Sequence, residues 1–221
     1  YCVAEYCVLV TRREKRACRR CSEQGVQTAA LPERILPKGK LSDEFIIDVL
    51  VRKYLHHTPV YRQCASLEQD HGIRISRQTL VDALMAAGNL MQALVKPLKA
   101  DLLAGGYIQA DETTVPVQSA AVRGRNHRAY LWQYGRPGGP VVFDFQMGRS
   151  REGPKTLLQG FQGWLQSDGY SAYAQLGEGI RHAGCLVHAR RYYFEAAQLS
   201  PTAPEPREIL GLFAQIYAVE K

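Results

Sequence analysis

A short apolar strand runs into a carboxylate in Tyr107-Ile108-Gln109-Ala110-Asp111-Glu112-Thr113, directly after Gly105-Gly106. Gly163-Trp164-Leu165-Gln166-Ser167-Asp168-Gly169-Tyr170 repeats the arrangement. Around these two runs the pattern alternates between strand and helix. Strands are predicted at 107–111, 129–134, 141–147, 163–168 and 180–186, and helices at 154–161, 171–176, 188–199 and 205–221. Gly135-Arg136-Pro137-Gly138-Gly139-Pro140 joins two of the strands by a hairpin-type turn. A meander followed by a helix crossing to another strand implies an α/β fold, a mixed sheet with helices on its faces.

Upstream, residues 41–104 read as helical. Ser42 is placed as an N-cap before Asp43 and Glu44, with Phe45, Ile46, Val49, Leu50 and Tyr54 at helical spacing. Pro59 opens a second helix, and His71-Gly72 ends it because glycine takes the left-handed C-cap conformation. Ser76 caps a third helix carrying Leu80, Leu84, Leu90, Met91 and Leu94 on one face. Pro97 is expected to bend or divide that helix. Helix, glycine turn and capped helix form the outline of a helix-turn-helix, with Arg74, Arg77 and Gln78 placed to meet phosphates or bases. An ordinary helical hairpin with solvated charges has the same pattern.

Residues 1–21 read as a strand through Val8-Leu9-Val10, a charged turn, and a Cys18-Arg19-Arg20-Cys21 knuckle. Residues 22–40, with Pro32, Pro37 and Gly39, read as a linker. The expected division is therefore 1–40, 41–104 and 105–221. The start at Tyr1, already strand-like, suggests a fragment of a longer chain.

The net charge is +7, and Arg12, Arg13, Lys15, Arg16, Arg19 and Arg20 cluster near the start. That balance suits an anionic partner such as nucleic acid. No apolar run approaches the ~20 residues a membrane span needs. No leader is visible, so a cytoplasmic protein is expected. The six cysteines then read as reduced thiols or metal ligands.

Two aspartates at strand ends suit a hard divalent cation, Mg²⁺ or Mn²⁺, which takes oxygen ligands from rigid positions. In a basic chain that suggests chemistry on nucleic-acid phosphates. The competing reading is that such aspartates cap turns, Asp168-Gly169 being a common turn pair. Glu112 follows Asp111 but points to the opposite face of its strand. Asp144 is read as an edge residue in solvent. Cys185 and His188 form a Cys-x-x-His pair entering a helix, read as a buried thiol and a hydrogen-bonded histidine, since two residues do not make a zinc site; the alternative is a supporting role, positioning the active-site strand or a target base. Arg190 and Arg191 beside Tyr192-Tyr193-Phe194 suit phosphate contact and stacking on an unpaired base; equally, Tyr193 and Phe194 are a core face. Cys18 and Cys21 are half of a zinc knuckle, read as a partial Zn²⁺ site; the weaker alternative is that Cys2 and Cys7 complete it as a four-cysteine site.

Ala110-Asp111-Glu112-Thr113, Leu165-Gln166-Ser167-Asp168-Gly169-Tyr170 and Cys185-Leu186-Val187-His188-Ala189-Arg190-Arg191, in that order, resemble the insertion-sequence-sixty-six family of bacterial transposases. Pro37-Lys38-Gly39, Val51-Arg52-Lys53-Tyr54, Thr58-Pro59-Val60-Tyr61-Arg62-Gln63 and Ile75-Ser76-Arg77-Gln78-Thr79-Leu80 also resemble it, so the likeness covers nearly the whole chain. The resemblance implies a ribonuclease-H-like catalytic domain with an Asp-Asp-Glu triad, in which Asp111 matches the first aspartate and Asp168 the second. It implies metal-dependent DNA strand cleavage and strand transfer at insertion-sequence ends. It further implies transposon-end and target DNA as partners, accessory proteins of the same element, a homodimer on DNA and a nucleoid-associated location. The triad glutamate is expected in a later Asp-Asn-Asn…Glu-Arg segment, which this sequence lacks. A C-terminally truncated chain, inactive alone, is therefore expected, with Glu195 as a weaker substitute ligand. The alternatives are a catalytically dead DNA-binding remnant and a ribonuclease-H-like nuclease without joining activity.

Overall fold

The computed structural model describes residues 6–17, 25–118 and 124–219. The chain falls into two compact units, Tyr1–Gln92 and Ala93–Lys221, divided within its longest helix.

In the first unit, the strand expected at Val8-Leu9-Val10 does not form. Residues 7–14 have no regular structure, and all three side chains are exposed. A strand exists only where its backbone groups find partners. Here the ladder instead joins β1 (Lys15–Ala17) to β2 (Val26–Thr28), antiparallel. The expected linker at 22–40 thus contains a strand.

The three expected helices do form. In α1 (Asp43–Tyr54), the Ser42 Oγ accepts the Phe45 N–H at 3.2 Å, and acidic residues fill the first turn, where the helix dipole favours them. Helix α2 (Val60–His71) ends at Gly72, whose φ of 67° returns its N–H to the last turn. The Ser76 Oγ accepts the Thr79 N–H at 3.1 Å and starts α3 (Arg77–Ala104). Pro97 lies inside α3 without dividing it. Val49, Leu67, Leu80 and Leu84 bring the three helices onto one core, with Ile46, Ala83 and Ala87 beside it. Gln63 is buried there; its amide donates to the Val49 and Thr58 carbonyls at 3.2 and 3.0 Å.

The second unit is a five-stranded mixed sheet with helices. Its elements are β3 (Tyr107–Gln118), β4 (Asn126–Gly135), β5 (Val141–Gln146), α4 (Glu152–Leu157), β6 (Gly163–Ser167), a 3₁₀ turn at Ser171–Tyr173, β7 (Ile180–Gly184), α5 (Leu186–Leu199) and α6 (Glu205–Val219). The order across the sheet is β5-β4-β3-β6-β7. Strands β3, β4 and β5 form the antiparallel meander, and β6 and β7 run parallel to β3. This arrangement is consistent with the expected ribonuclease-H-like fold.

Strand β3 runs on to Gln118, beyond its expected end at 111. Pro116 argues against a strand in sequence, because it cannot donate to a ladder. Past Gln109, however, β4 is its only bonded neighbour among the described residues, and proline is tolerated where one side is open. Alternation then sets the core. Ile108 and Ala110 of β3, Trp132 and Tyr134 of β4, Val142 of β5 and Leu165 of β6 are all buried, packed with Leu102, Leu157, Phe161 and Tyr173.

Candidate functional site

The ladder between β3 and β6 pairs Tyr107 with Trp164, Ile108 with Leu165 and Gln109 with Gln166. Asp111 and Asp168 each follow two residues after the last pair of this ladder, so the same offset, if continued, would set them level. Neighbouring strands lie about 4.8 Å apart. Parallel partners point the same way, so the pair belongs to the face opposite Ile108 and Leu165. Along that face Tyr107, Gln109 and Gln166 hydrogen-bond to one another, a polar row that leads to the two carboxylates.

Asp111 is exposed, and its Oδ1 accepts its neighbour Glu112's N–H at 2.9 Å. Asp168 is half-buried, and its Oδ1 accepts the Tyr170 N–H at 2.8 Å. The turn-capping expectation for Asp168 is thus realised, but it uses one oxygen only. Among the described residues the second oxygen of each aspartate accepts no hydrogen bond. Two carboxylates with an oxygen left over, one residue exposed and the other half-buried, offer the oxygen donors a hard cation takes. No group of three His, Cys, Asp or Glu residues able to hold a metal exists among the described residues. Glu195 is exposed on α5 and does not join the pair, which corrects its expectation as a substitute ligand.

Glu112 faces the other way, as alternation requires, and its side chain is only 2% exposed. Its Oε1 accepts from the Arg149 guanidinium, with Nε at 2.8 Å, and its Oε2 accepts the Tyr173 hydroxyl at 2.7 Å. Arg149 in turn lies 3.7 Å from the Tyr170 ring centroid, and its carbonyl accepts the Tyr170 hydroxyl at 2.9 Å. Burial pushes the Tyr173 phenol well above its usual range, and the bond to Glu112 adds to this. Tyr134 is raised too, by burial and then by Asp144 and Glu112. Arg149 and Tyr173 escaped the sequence reading. A lone arginine in a Gly-Arg-Ser-Arg loop looks like a solvated charge until the fold brings a buried carboxylate to it.

Asp144 is not the solvent-facing residue expected. Glu112, Trp132 and Asp144 are register partners across β3, β4 and β5, so Asp144 lies half-buried on the core face, where Gln146 donates to it at 2.8 Å. Cys185 begins α5, and its N–H reaches the Ser167 carbonyl at 2.8 Å; its thiol is free and half-buried. His188 differs from expectation, because its buried Nδ1 finds no hydrogen-bond partner among the described residues. Arg190, Arg191 and Tyr192 are exposed on α5, while the Tyr193 ring sits 6.2 Å from that of Phe213 on α6.

In the first unit, Arg74 is spent on Glu68 at 2.8 Å and Gln78 on Asp82 at 2.7 Å. Arg77 is exposed and makes no ion pair among the described residues. Tyr61, Cys64, Glu68, Arg74, Ser76 and Arg77 surround an open depression of about 430 Å³ at the α2–α3 turn. Cys2, Cys18 and Cys21 lie outside the described residues; Cys7 is an exposed free thiol. No described helix is long and apolar enough to cross a membrane.

The family model described as "Transposase IS66 family" matches residues 38–221. Two curated relatives from Sinorhizobium fredii (strain NBRC 101917 / NGR234) are also similar. "Uncharacterized protein y4qI" is 33% identical over 85% of this chain and 37% of its own length. "Uncharacterized protein y4jD" is 32% identical over 96% of this chain and 44% of its own length. The chain thus spans about two fifths of the relatives it matches.

Proposed function

Because the chain belongs to the IS66 family of transposases, we propose that it contributes two of the carboxylates of a DNA strand-cleaving and strand-joining centre. What supports this is that Asp111, inside β3, and Asp168, just past the end of β6, each lie two residues beyond the last pair of the parallel β3–β6 ladder, Gln109 with Gln166. Asp111 and Asp168 would hold Mg²⁺ or Mn²⁺ through the carboxylate oxygens that accept no hydrogen bond among the described residues. Such a cation, when bound, supplies charge neutralisation and Lewis acidity at the scissile phosphate. A third carboxylate, the glutamate implied by the family resemblance, completes the set from elsewhere in the whole protein.

The chain's own residues do the rest. Glu112 is committed to Arg149 and Tyr173 and stays out of the cation's reach. Arg190 and Arg191 on exposed α5, and Arg77 at the α2–α3 turn, supply positive charge for the DNA backbone. Arg74 and Gln78 join them only by releasing their present partners. Ribonuclease-H-like topology, a helix-turn-helix role for α2 and α3, and a zinc role for Cys18 and Cys21 belong to the same reading.

The reading is tested with the full-length protein and labelled duplex carrying the insertion-sequence ends, in Mg²⁺, Mn²⁺ or chelator. Metal-dependent nicking followed by joined product is expected. Asp111→Asn and Asp168→Asn should each remove both while DNA binding at the same salt survives. Retained cleavage in either variant overturns the assignment. Cleavage without joining marks a nuclease, and binding without cleavage marks a DNA-binding remnant.

A further inference from the structure

The β3–β6 ladder stops at Gln109 and Gln166, so Asp111 and Asp168 both stand beyond its last pair. Backbone pairing alone does not hold them level. A continuous set of contacts does span the gap. Asp111 is bonded in sequence to Glu112, whose carboxylate is clamped by Arg149. The Arg149 guanidinium carbon lies 3.7 Å from the Tyr170 ring centroid, and the Arg149 carbonyl accepts the Tyr170 hydroxyl. The Tyr170 N–H holds the Asp168 carboxylate.

We infer that Arg149 is a positioning residue, which ties the Asp168–Tyr170 turn to Glu112 and so keeps Asp111 and Asp168 level for a shared cation. This rests on the metal-site reading of the two aspartates. Arg149 is poorly suited to be a DNA contact instead. Its Nε and one terminal nitrogen are used on Glu112, and one face of its guanidinium is covered by Tyr170. A carboxylate as buried as Glu112 is costly to leave unpaired, so the clamp is held closed by the fold itself. Lysine at 149 would keep the charge but lose the planar fork that holds Glu112.

The experiment is residue-resolved amide exchange on this chain, comparing wild type with Arg149→Lys and Tyr173→Phe. Arg149→Lys should speed exchange of the Tyr170 amide by about tenfold, the scale set by one charge-assisted hydrogen bond. The Leu165 amide, inside the ladder, should not change. Tyr173→Phe keeps the ring and removes one bond to Glu112, and should move Tyr170 in the same direction by less. If Arg149→Lys also loosens Leu165, that variant has unfolded and Tyr173→Phe decides. Unchanged Tyr170 exchange in a folded variant overturns the inference.

A Mn²⁺ titration of the full-length protein, read by the free-ion paramagnetic resonance signal, separates this inference from the reading beneath it. Arg149→Lys should raise half-saturation severalfold without altering DNA affinity. Weakened DNA binding with unchanged Mn²⁺ would make Arg149 a phosphate contact and overturn the inference. If Asp111→Asn leaves Mn²⁺ binding untouched, the metal reading fails, and the exchange result alone decides whether Arg149 holds the turn.

Discussion

The Ser167 carbonyl accepts the Cys185 N–H at 2.8 Å. This one bond joins the residue before Asp168 to the residue that begins α5. It extends the β6–β7 ladder, whose last register pair is Ser167 with Gly184. The end of β6 is therefore held from the β7 side by backbone and from the β3 side by the contacts through Arg149 and Tyr170.

Cys185 matters here through its N–H, since its side chain makes no capping bond. Cys185→Ser should leave stability within about 0.5 kcal/mol. Cys185→Pro suits the observed φ of −79° but deletes the donor. It should cost about 1–3 kcal/mol, the penalty of an unsatisfied carbonyl. Urea unfolding of the two variants checks this, and equal stability would show that the bond contributes nothing.

Gly163 opens β6 at a φ of 150°, where a Cβ would lie 2.4 Å from the Gly106 carbonyl oxygen. The obstacle is backbone, and the Trp164 N–H bonds the same carbonyl at 2.9 Å. Gly163→Ala should therefore push β6 away from the start of β3 and cost about 1–3 kcal/mol or more. A melting temperature equal to wild type would be the contrary result.

Tyr134 and Tyr173 should resist ionisation in the folded protein, since both phenols are raised by burial. In the unfolded chain they titrate at about 10. Above that pH the unfolded state has lost protons that the folded state keeps, so stability should fall as pH rises. The slope for these two groups is about 1.4 kcal/mol per pH unit each. An ultraviolet absorbance titration should show the exposed tyrosines ionising first. Stability independent of pH between about 10 and 11 would contradict the buried state of these phenols.

Glu112 and Arg149 should be energetically coupled. Arg149 is 40% exposed and Glu112 2%, so solvent weakens the pair from one side only. A double-mutant cycle with Glu112→Gln and Arg149→Met should return a coupling of about 1–3 kcal/mol. Additive losses in denaturant melts would mean the two side chains stabilise the fold independently.

Much of this chain was legible because local rules and tertiary needs coincide. Ser42, Gly72 and Ser76 cap the helices they flank, and each acts within one turn of chain. The strand runs around Asp111 and Asp168 also formed, and Ile108, Ala110 and Leu165 within them are buried. The failures lie where the outcome depends on a distant partner. Val8-Leu9-Val10 has strand composition and no strand to pair with, while Val26-Gln27-Thr28 looked like linker and pairs with Lys15–Ala17. Asp144 seemed solvent-bound until β4 set it level with Trp132.

The sequence by itself determined the caps of the first three helices, the alternation of strand and helix from residue 107 onward and the two candidate aspartates, because these follow from backbone stereochemistry and side-chain periodicity. Only the tertiary structure decided that β3 and β6 run side by side just before Asp111 and Asp168, that Glu112 is buried, and that Arg149 and Tyr173 close on it. Those facts depend on the register between β3 and β6, and on a loop meeting a strand that lies 37 residues away in the chain. No hairpin turn links β3 to β6, so their register is settled by which apolar faces pack together across the sheet.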